Sequence, residues 1–353
     1  MVEPRKVLLP FEYFSHSMPI FIQKRQLNAI FISSARFTPL VFKHSINTTL
    51  HLEVDALKRK LDNIDAKRLM RYKNETYKIA SFHSGHPVTR AEAKINDINN
   101  MCNGILLEGR FEDNSIRFLD LCFAPGAFEY YFKRLADMHK SLTYGFGVTI
   151  TKGLPYNHEF IKNSDYFNFT YVTGDITDLY CMDNVIKFQK NVPYVILADG
   201  GMDVSRNYNL QEHMSFMMIF AECIIALSTL RKDGSFLCKF FDISHESTIS
   251  LIFFVSVYFE GIKLMKPVHS RAINSEKYIL FYRFKGCSED ILQKLKSIFA
   301  ITKRSPNQFL KLSIRPTGQF MNWLENCCKV LLENQKIHLE NCIRLIGSTV
   351  KEG

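Results

Sequence analysis

The strongest constraint on the fold is the repeat of strand-like and helix-like runs between residues 86 and 286. Arg117-Phe118-Leu119-Asp120-Leu121 reads as a strand, followed by a turn and a helix from Phe128 to Met138. Strand-like runs recur at Leu142 to Ile150, Tyr171 to Asp175 and Tyr194 to Ala198. Gln211 to Leu230 reads as a long, mostly apolar helix leading to a strand at Ser235. Ser247 to Phe259 is another helix, and Ile262 to Lys266 with Lys277 to Arg283 can form a closing antiparallel pair. Parallel strands need crossovers, and helices supply them. The alternation therefore predicts an α/β fold with a mainly parallel, doubly wound sheet and an antiparallel closing strand.

Four charged residues sit at the ends of these otherwise ordinary segments. Asp199 ends Val195-Ile196-Leu197-Ala198, and Lys239 ends Gly234-Ser235-Phe236-Leu237-Cys238. Glu276 opens the run Tyr278 to Tyr282, and Lys94 lies in the helical-looking Arg90-Ala91-Glu92-Ala93-Lys94. Ligands bind at strand ends in open α/β sheets. A lysine beside another lysine also loses its proton more easily.

Two blocks flank this region. Residues 1–85 begin aromatic and then read as one basic helical stretch from Leu50 to Tyr77. Leu57, Leu61, Ile64 and Leu69 recur at helical spacing there. Lys58, Arg59, Lys60, Lys67, Arg68, Arg71 and Lys73 fill the remaining positions. Such a face is either solvated or turned towards phosphate. Residues 287–353 read as a helical cap, starting near Ser288-Glu289-Asp290 and carrying apolar positions from Trp323 to Ile346. The expected organisation is a basic N-terminal extension (1–85), a central domain (86–286) and a helical C-terminal extension (287–353).

The net charge of +10 over 353 residues suggests a polyanionic partner such as nucleic acid. Nine cysteines include no C-x-x-C pair and no Cys/His cluster at zinc spacing, so no metal is expected. Their apolar surroundings suit free thiols in a reducing compartment. Met1-Val2-Glu3-Pro4-Arg5-Lys6 does not open a signal-peptide pattern, and Leu251 to Phe259 is too short to span a bilayer. The expectation is a soluble protein with no membrane partner.

The turn Asp120-Leu121-Cys122-Phe123-Ala124-Pro125-Gly126-Ala127-Phe128 joins a strand to a helix start. Small residues let its backbone approach a ligand, and the helix N-terminus presents free N–H groups to a carboxylate. It has neither G-x-G-x-x-G spacing nor a Walker Gly-Lys-Ser/Thr, which disfavours hydride transfer and phosphate cradling.

This turn resembles the donor-site turn of FtsJ-like S-adenosylmethionine-dependent 2′-O-ribose methyltransferases. Further strings extend the likeness in order: Thr89-Arg90-Ala91-Glu92-Ala93-Lys94, Gly174-Asp175-Ile176-Thr177, Leu197-Ala198-Asp199-Gly200-Gly201 and Cys238-Lys239-Phe240-Phe241-Asp242. Lys266-Pro267, Ser270-Arg271 and Asn274-Ser275-Glu276 complete the set. The branch it most resembles is the eukaryotic mRNA cap-1 methyltransferases, which methylate the first transcribed nucleotide.

The resemblance implies a Rossmann-like methyltransferase fold and S-adenosylmethionine as cofactor. It implies a catalytic set of Lys94, Asp199, Lys239 and Glu276. A ribose 2′-OH is a poor nucleophile until its proton leaves, so a base is needed. Lys239 is the candidate. A free lysine titrates at about 10.4, and burial beside Lys94 is expected to lower Lys239 towards about 7–8. The alternative is a charged Lys239 that only steers the hydroxyl. The resemblance gives the donor to Thr89, to Cys122, Phe123, Ala124, Pro125, Gly126, Ala127 and Phe128, and to Asp175, Ile176 and Asp199. Ala127 stands where the family has a second glycine, and Gly145-Phe146-Gly147-Val148-Thr149 ends without a ribose-binding acid.

On the RNA side the resemblance points to Asn209, Leu210, Gln211 and Arg271. Asn209 is equally suited to cap the helix that follows. Arg71 and Lys73 are further phosphate candidates from the basic block. The expected substrate is the capped mRNA 5′ end, with the transcription or capping machinery nearby. The enzyme is expected to act as a monomer, in the nucleus, or in cytoplasm for a viral or parasite enzyme. The alternatives are ribosomal or transfer RNA as substrate, or an inactive RNA-binding scaffold.

Overall fold

The computed structural model describes residues 14–19, 36–39, 45–77, 89–107, 115–151, 155–201, 210–304, 308–311 and 316–348. Its centre is an eight-stranded sheet in the order β1-β8-β9-β7-β6-β3-β4-β5. In chain order these are β1 (Phe14–Pro19), β3 (Ser115–Leu121), β4 (Leu142–Thr149), β5 (Phe167–Thr173), β6 (Val195–Ala198), β7 (Ser235–Phe240), β8 (Phe259–Lys266) and β9 (Lys277–Phe284). Strands β5, β4, β3, β6 and β7 run parallel. β9 enters antiparallel between β7 and β8, and β1 closes the edge antiparallel to β8. β2 (Arg36–Pro39) and β10 (Gln308–Lys311) form a separate antiparallel pair. The expected α/β sheet with an antiparallel closing pair is present.

The central strands read as apolar runs because both of their faces are covered. Every residue of β6 and of β7 is buried, as a sheet with helices on both sides requires. Helix α3 (Arg90–Met101) and α4 (Ala127–His139) pack together, and α5 (Leu179–Gln189) packs against α6 (Gln211–Thr229). α6 is apolar nearly all round and accordingly buried. It packs on β7, on α7 (Glu246–Ser256) and on α8 (Glu289–Arg304).

The basic stretch is two helices, α1 (Thr48–Asp62) and α2 (Ala66–Thr76), rather than the continuous helix expected. Asp65 breaks it, because its carboxylate accepts from the Arg68 amide at 3.0 Å and starts a new helix. α9 (Gly318–Ser348) packs across both. Together they enclose a separate apolar core that includes Val54, Leu61, Tyr72, Leu332 and Leu339. Three local boundaries also differ from expectation. The third strand is β5, starting at Phe167 rather than Tyr171. α7 ends at Ser256, and Phe259 belongs to β8. The N-terminal block also contributes a sheet strand, β1, and not only helices.

Gly145 is required by packing. A Cβ there would lie 2.3 Å from the Phe118 ring and 2.6 Å from the Phe169 ring. Phe118 is itself stacked on Phe132 at 4.5 Å, so neither ring has room to retreat. Gly145→Ala should therefore destabilise the fold by about 1–3 kcal/mol through overpacking. Chemical denaturation checks this, and an unchanged midpoint would show that the rings repack freely.

Candidate active site

The strand order reverses between the paired strands β3 and β6: from β3 the chain runs out to β4 and β5 on one side, and β6 and β7 follow on the other. The crevice beyond their carboxyl ends is the topological switch point, where doubly wound folds take ligands. The Cys122–Phe128 turn leaves β3 there, and Asp199 leaves β6 beside it. Phe123, Ala127 and Phe128 are buried, so their side chains anchor the turn and the backbone is what it offers a ligand. Gly126 has φ +100 and caps α4 without a side chain. A Cβ at Gly126 would lie 2.9 Å from Ile161 Cγ2 and 3.4 Å from Phe160 Cβ. The turn is thus a tight cradle at a helix N-terminus, suited to a carboxylate.

Asp175 and Ile176 follow β5. Asp175 is exposed, and its Oδ1 accepts from the Thr177 amide at 2.8 Å and the Thr177 hydroxyl at 2.7 Å. That turn leaves Oδ2 unused. Ile176 is 3% exposed and packs in the main core, so its side chain is not at the surface of the crevice. Thr89 is the N-cap of α3, its Oγ1 accepting from the Glu92 amide at 3.1 Å.

The four charged residues converge. Lys239 lies in β7 opposite Tyr278 of β9, and Glu276 immediately precedes β9. Lys239 Nζ is 2.9 Å from Asp199 Oδ1 and donates to the Asp199 carbonyl oxygen at 2.8 Å. Lys94 Nζ is 3.2 Å from Glu276 Oε2 and 3.6 Å from Asp199 Oδ2. Tyr278 joins the two halves: its hydroxyl accepts from Lys94 at 2.9 Å and donates to Asp199 Oδ1 at 2.7 Å. Both lysines are 7% exposed.

The charge states differ from the sequence expectation. Burial does oppose the Lys239 charge, but Asp199 and Glu276 outweigh it, and the ammonium ends above its ordinary value. The expected lowering towards neutrality is therefore not found at Lys239. Burial raises Glu276, but Lys94, Lys239 and Lys266 prevail and hold it at about 2. Lys266, beside this network, is strongly depressed: burial, opposed by Glu276, brings it down to about 7 with help from Lys277 and Lys94.

Lys266, Ser270 and Tyr278 join this network, and the sequence reading gave them no role. Lys266 Nζ donates to the Glu276 carbonyl at 2.6 Å and the Asn274 carbonyl at 2.8 Å, fixing the loop before β9. Ser270 donates to Glu276 Oε1 at 2.8 Å. Tyr278 was legible in principle, because it shares a strand face with Glu276 at a period of two.

The RNA-side candidates separate. Asn209 lies outside the described residues. Leu210 is the N-cap of α6 and Gln211 its first residue, both half-buried. Arg271 has a buried Nε without a hydrogen-bond partner among the described residues. Lys73 is brought close to it: burial first, then the Arg271 charge, lowers the Lys73 pKa. Arg90 is lowered by the same two causes, burial before Arg271. Three cations thus crowd one edge of the site. Arg71 is not among them, being exposed and paired with Glu75 at 2.9 Å. Among the described residues no group of three His, Cys, Asp or Glu side chains could hold a metal ion.

The Glu276 shift makes a stability prediction. Its folded pKa of about 2 lies below the ordinary 4.5, so its contribution is present above pH 4.5 and is lost as pH falls towards 2. Glu276→Gln should flatten this acid limb, measured as denaturation midpoint against pH. An acid limb identical to that of the parent chain would place the sensitivity elsewhere.

A Caenorhabditis briggsae protein named cap-specific mRNA (nucleoside-2′-O-)-methyltransferase 1A is 30% identical over 63% of this chain and 28% of its own length. Proteins named cap-specific mRNA (nucleoside-2′-O-)-methyltransferase 1 match from Dictyostelium discoideum, at 28% identity over 72% of the chain and 37% of that protein, and from Trypanosoma brucei brucei, at 30% over 52% and 50%. The chain thus spans half or less of the length of these relatives. A crystal structure titled as a putative ribosomal RNA methyltransferase from Plasmodium falciparum aligns with a TM-score of 0.42 and 14% identity, over 57% of this chain and 100% of that one. The model of the family described as FtsJ-like methyltransferase matches residues 87–284, which takes in β3 to β9 and all four charged residues. The chain belongs to the FtsJ-like methyltransferase family.

Proposed function

We propose that this chain transfers a methyl group from S-adenosylmethionine to the ribose 2′-OH of the first transcribed nucleotide of RNA carrying a 7-methylguanosine cap. The observation that carries this reading is Lys239 held against Asp199 at the switch point, with Lys94, Glu276 and Tyr278 closing the network around them. The names of the relatives support the capped substrate. The first turn of α4, whose amides no side chain caps, and the Gly126 cradle fit the carboxylate end of an amino-acid-bearing donor. Asp175, with one oxygen outside its local turn, suits an adenine amino group.

S-adenosylmethionine, when bound, supplies an electrophilic methyl on a sulfonium. The chain's own residues then handle the alcohol. The donor would give its methyl to the ribose oxygen and leave as the neutral thioether. Lys239 Nζ takes the hydroxyl proton. Asp199 aims that amine through two contacts, leaving its remaining direction for substrate. Lys94, balanced by Glu276, fixes Tyr278, which fixes Asp199. Arg271, Arg90 and Lys73 offer phosphate contacts, and Gln211 and Asn209 contacts to base or sugar edges. The reading places the chain where capped transcripts are made, the nucleus in a cellular setting, with capped mRNA as its partner.

Methyl transfer from labelled donor should favour RNA beginning with 7-methylguanosine over the same RNA uncapped. Equal transfer to both would remove the cap requirement, and transfer only to structured ribosomal or transfer RNA would move the substrate. Lys239→Ala should lower kcat by about 10²–10⁴-fold with donor affinity nearly unchanged. Because the raised pKa makes the neutral amine a minor species near neutrality, single-turnover rate should climb about tenfold per pH unit into the alkaline range. A rate independent of pH would make Lys239 an orienting cation.

A further inference from the structure

The N- and C-terminal helices lie outside the region matched by the family model, yet two of their buried polar side chains reach the segments that carry Lys239 and Glu276. Lys58 of α1 is 3% exposed and bonds Asp242 Oδ2 at 2.7 Å. Asp242 comes three residues after Lys239 and faces Lys277, the neighbour of Glu276, as well as His51 of α1. Asp55 approaches the same ammonium at 3.7 Å. Burial works against the Asp242 charge, but Lys58 and Lys277 keep it ionised.

Gln335 of α9 plays the matching part on the other segment. It is 4% exposed, and its amide donates to the Ile273 carbonyl at 3.0 Å and to Ser275 Oγ at 3.3 Å. These are the residues leading into Glu276. Ile273 itself is 4% exposed and packs among Val54, Leu61, Leu332 and Leu339. α1 and α9 are joined to each other, by Asn47 donating to the Glu325 carbonyl at 3.0 Å and by a Lys336–Glu53 pair at 2.8 Å. The two helices therefore form one clamp gripping both catalytic segments.

Resting on the function proposed above, we infer that Lys58 and Gln335 are positioning residues for methyl transfer, holding the segments after β7 and before β9 so that Lys239 and Glu276 meet around Asp199. Neither side chain touches the four charged residues. Both act on the backbone or the carboxylate next to them. A buried ion pair replaced as a pair need not weaken the fold, whereas removing one partner strands a charge. That asymmetry separates positioning from stability.

The test uses Gln335→Leu and the double variant Lys58→Met with Asp242→Leu in the full chain. Lys58→Met alone would leave the Asp242 carboxylate uncompensated and is the unfolding control. Both test variants should remain folded at the assay temperature with donor affinity near that of the parent chain, while kcat on capped RNA falls about 10- to 100-fold at little-changed KM. Hydrogen exchange, read by mass spectrometry, should quicken in 270–276 for Gln335→Leu and in 241–245 for the double variant, with β4 unaffected. Parental kcat and exchange in either variant would overturn the inference. So would a loss of activity that only follows a loss of folded protein. Should the parent chain methylate no RNA, the functional reading fails, and exchange alone decides whether the clamp holds these segments.

Discussion

The structure depends on a balance of buried charge. Asp199 and Glu276 face Lys94 and Lys239 in a crevice where both lysines are almost fully covered. Taking such ions out of water costs several kcal/mol each unless partners and hydrogen bonds compensate. Here each lysine has a carboxylate within salt-bridge reach, and the Tyr278 hydroxyl links Lys94 to Asp199. The arrangement is partly redundant: Lys94 meets both carboxylates and Asp199 both lysines, whereas Lys239 is within salt-bridge reach of Asp199 alone among the described residues. Such groups keep their positions before any substrate arrives, which is preorganisation, and Lys239 must lose its own proton before it can take that of the hydroxyl.

The fold delivers these groups from separated parts of the chain. β6 ends at the switch point and presents Asp199, while β7 beside it presents Lys239. β9 inserts antiparallel next to β7, which sets Tyr278 opposite Lys239 and brings Glu276 to the same end of the sheet. Lys94 comes from α3. Around this centre the additions outside the family region are not ornaments. α1 and α9 build their own apolar core on Ile273, so the loop bearing Arg271 and Glu276 is sandwiched between the sheet and the terminal helices.

Much of this was legible in the sequence, for physical reasons. The alternation of apolar runs dictated the doubly wound sheet, and ionic residues at strand ends marked its functional edge. The charge state of Lys239 was not legible. Sequence shows that two lysines come near each other, but not that Asp199 meets Lys239 with both its carboxylate and its carbonyl. The helix break at Asp65 was concealed by Leu57, Leu61, Ile64 and Leu69, whose spacing runs on across it. The pairing of Phe14–Pro19 with β8 joins residues about 250 positions apart, and no local pattern announces it. Arg71 and Lys73 looked equivalent in sequence, but two positions on a helix turn by about 200°. One faces Arg271 and the other solvent.

Asp199 and Glu276 together keep Lys239 charged in the resting site. The most direct measurement is an NMR titration of the lysine Nζ groups in isotopically labelled protein, with the Lys239 signal assigned through Lys239→Arg. Lys239 should titrate above the ordinary 10.5 and fall on removal of the Glu276 charge. A Lys239 signal titrating near neutrality in the parent chain would contradict it.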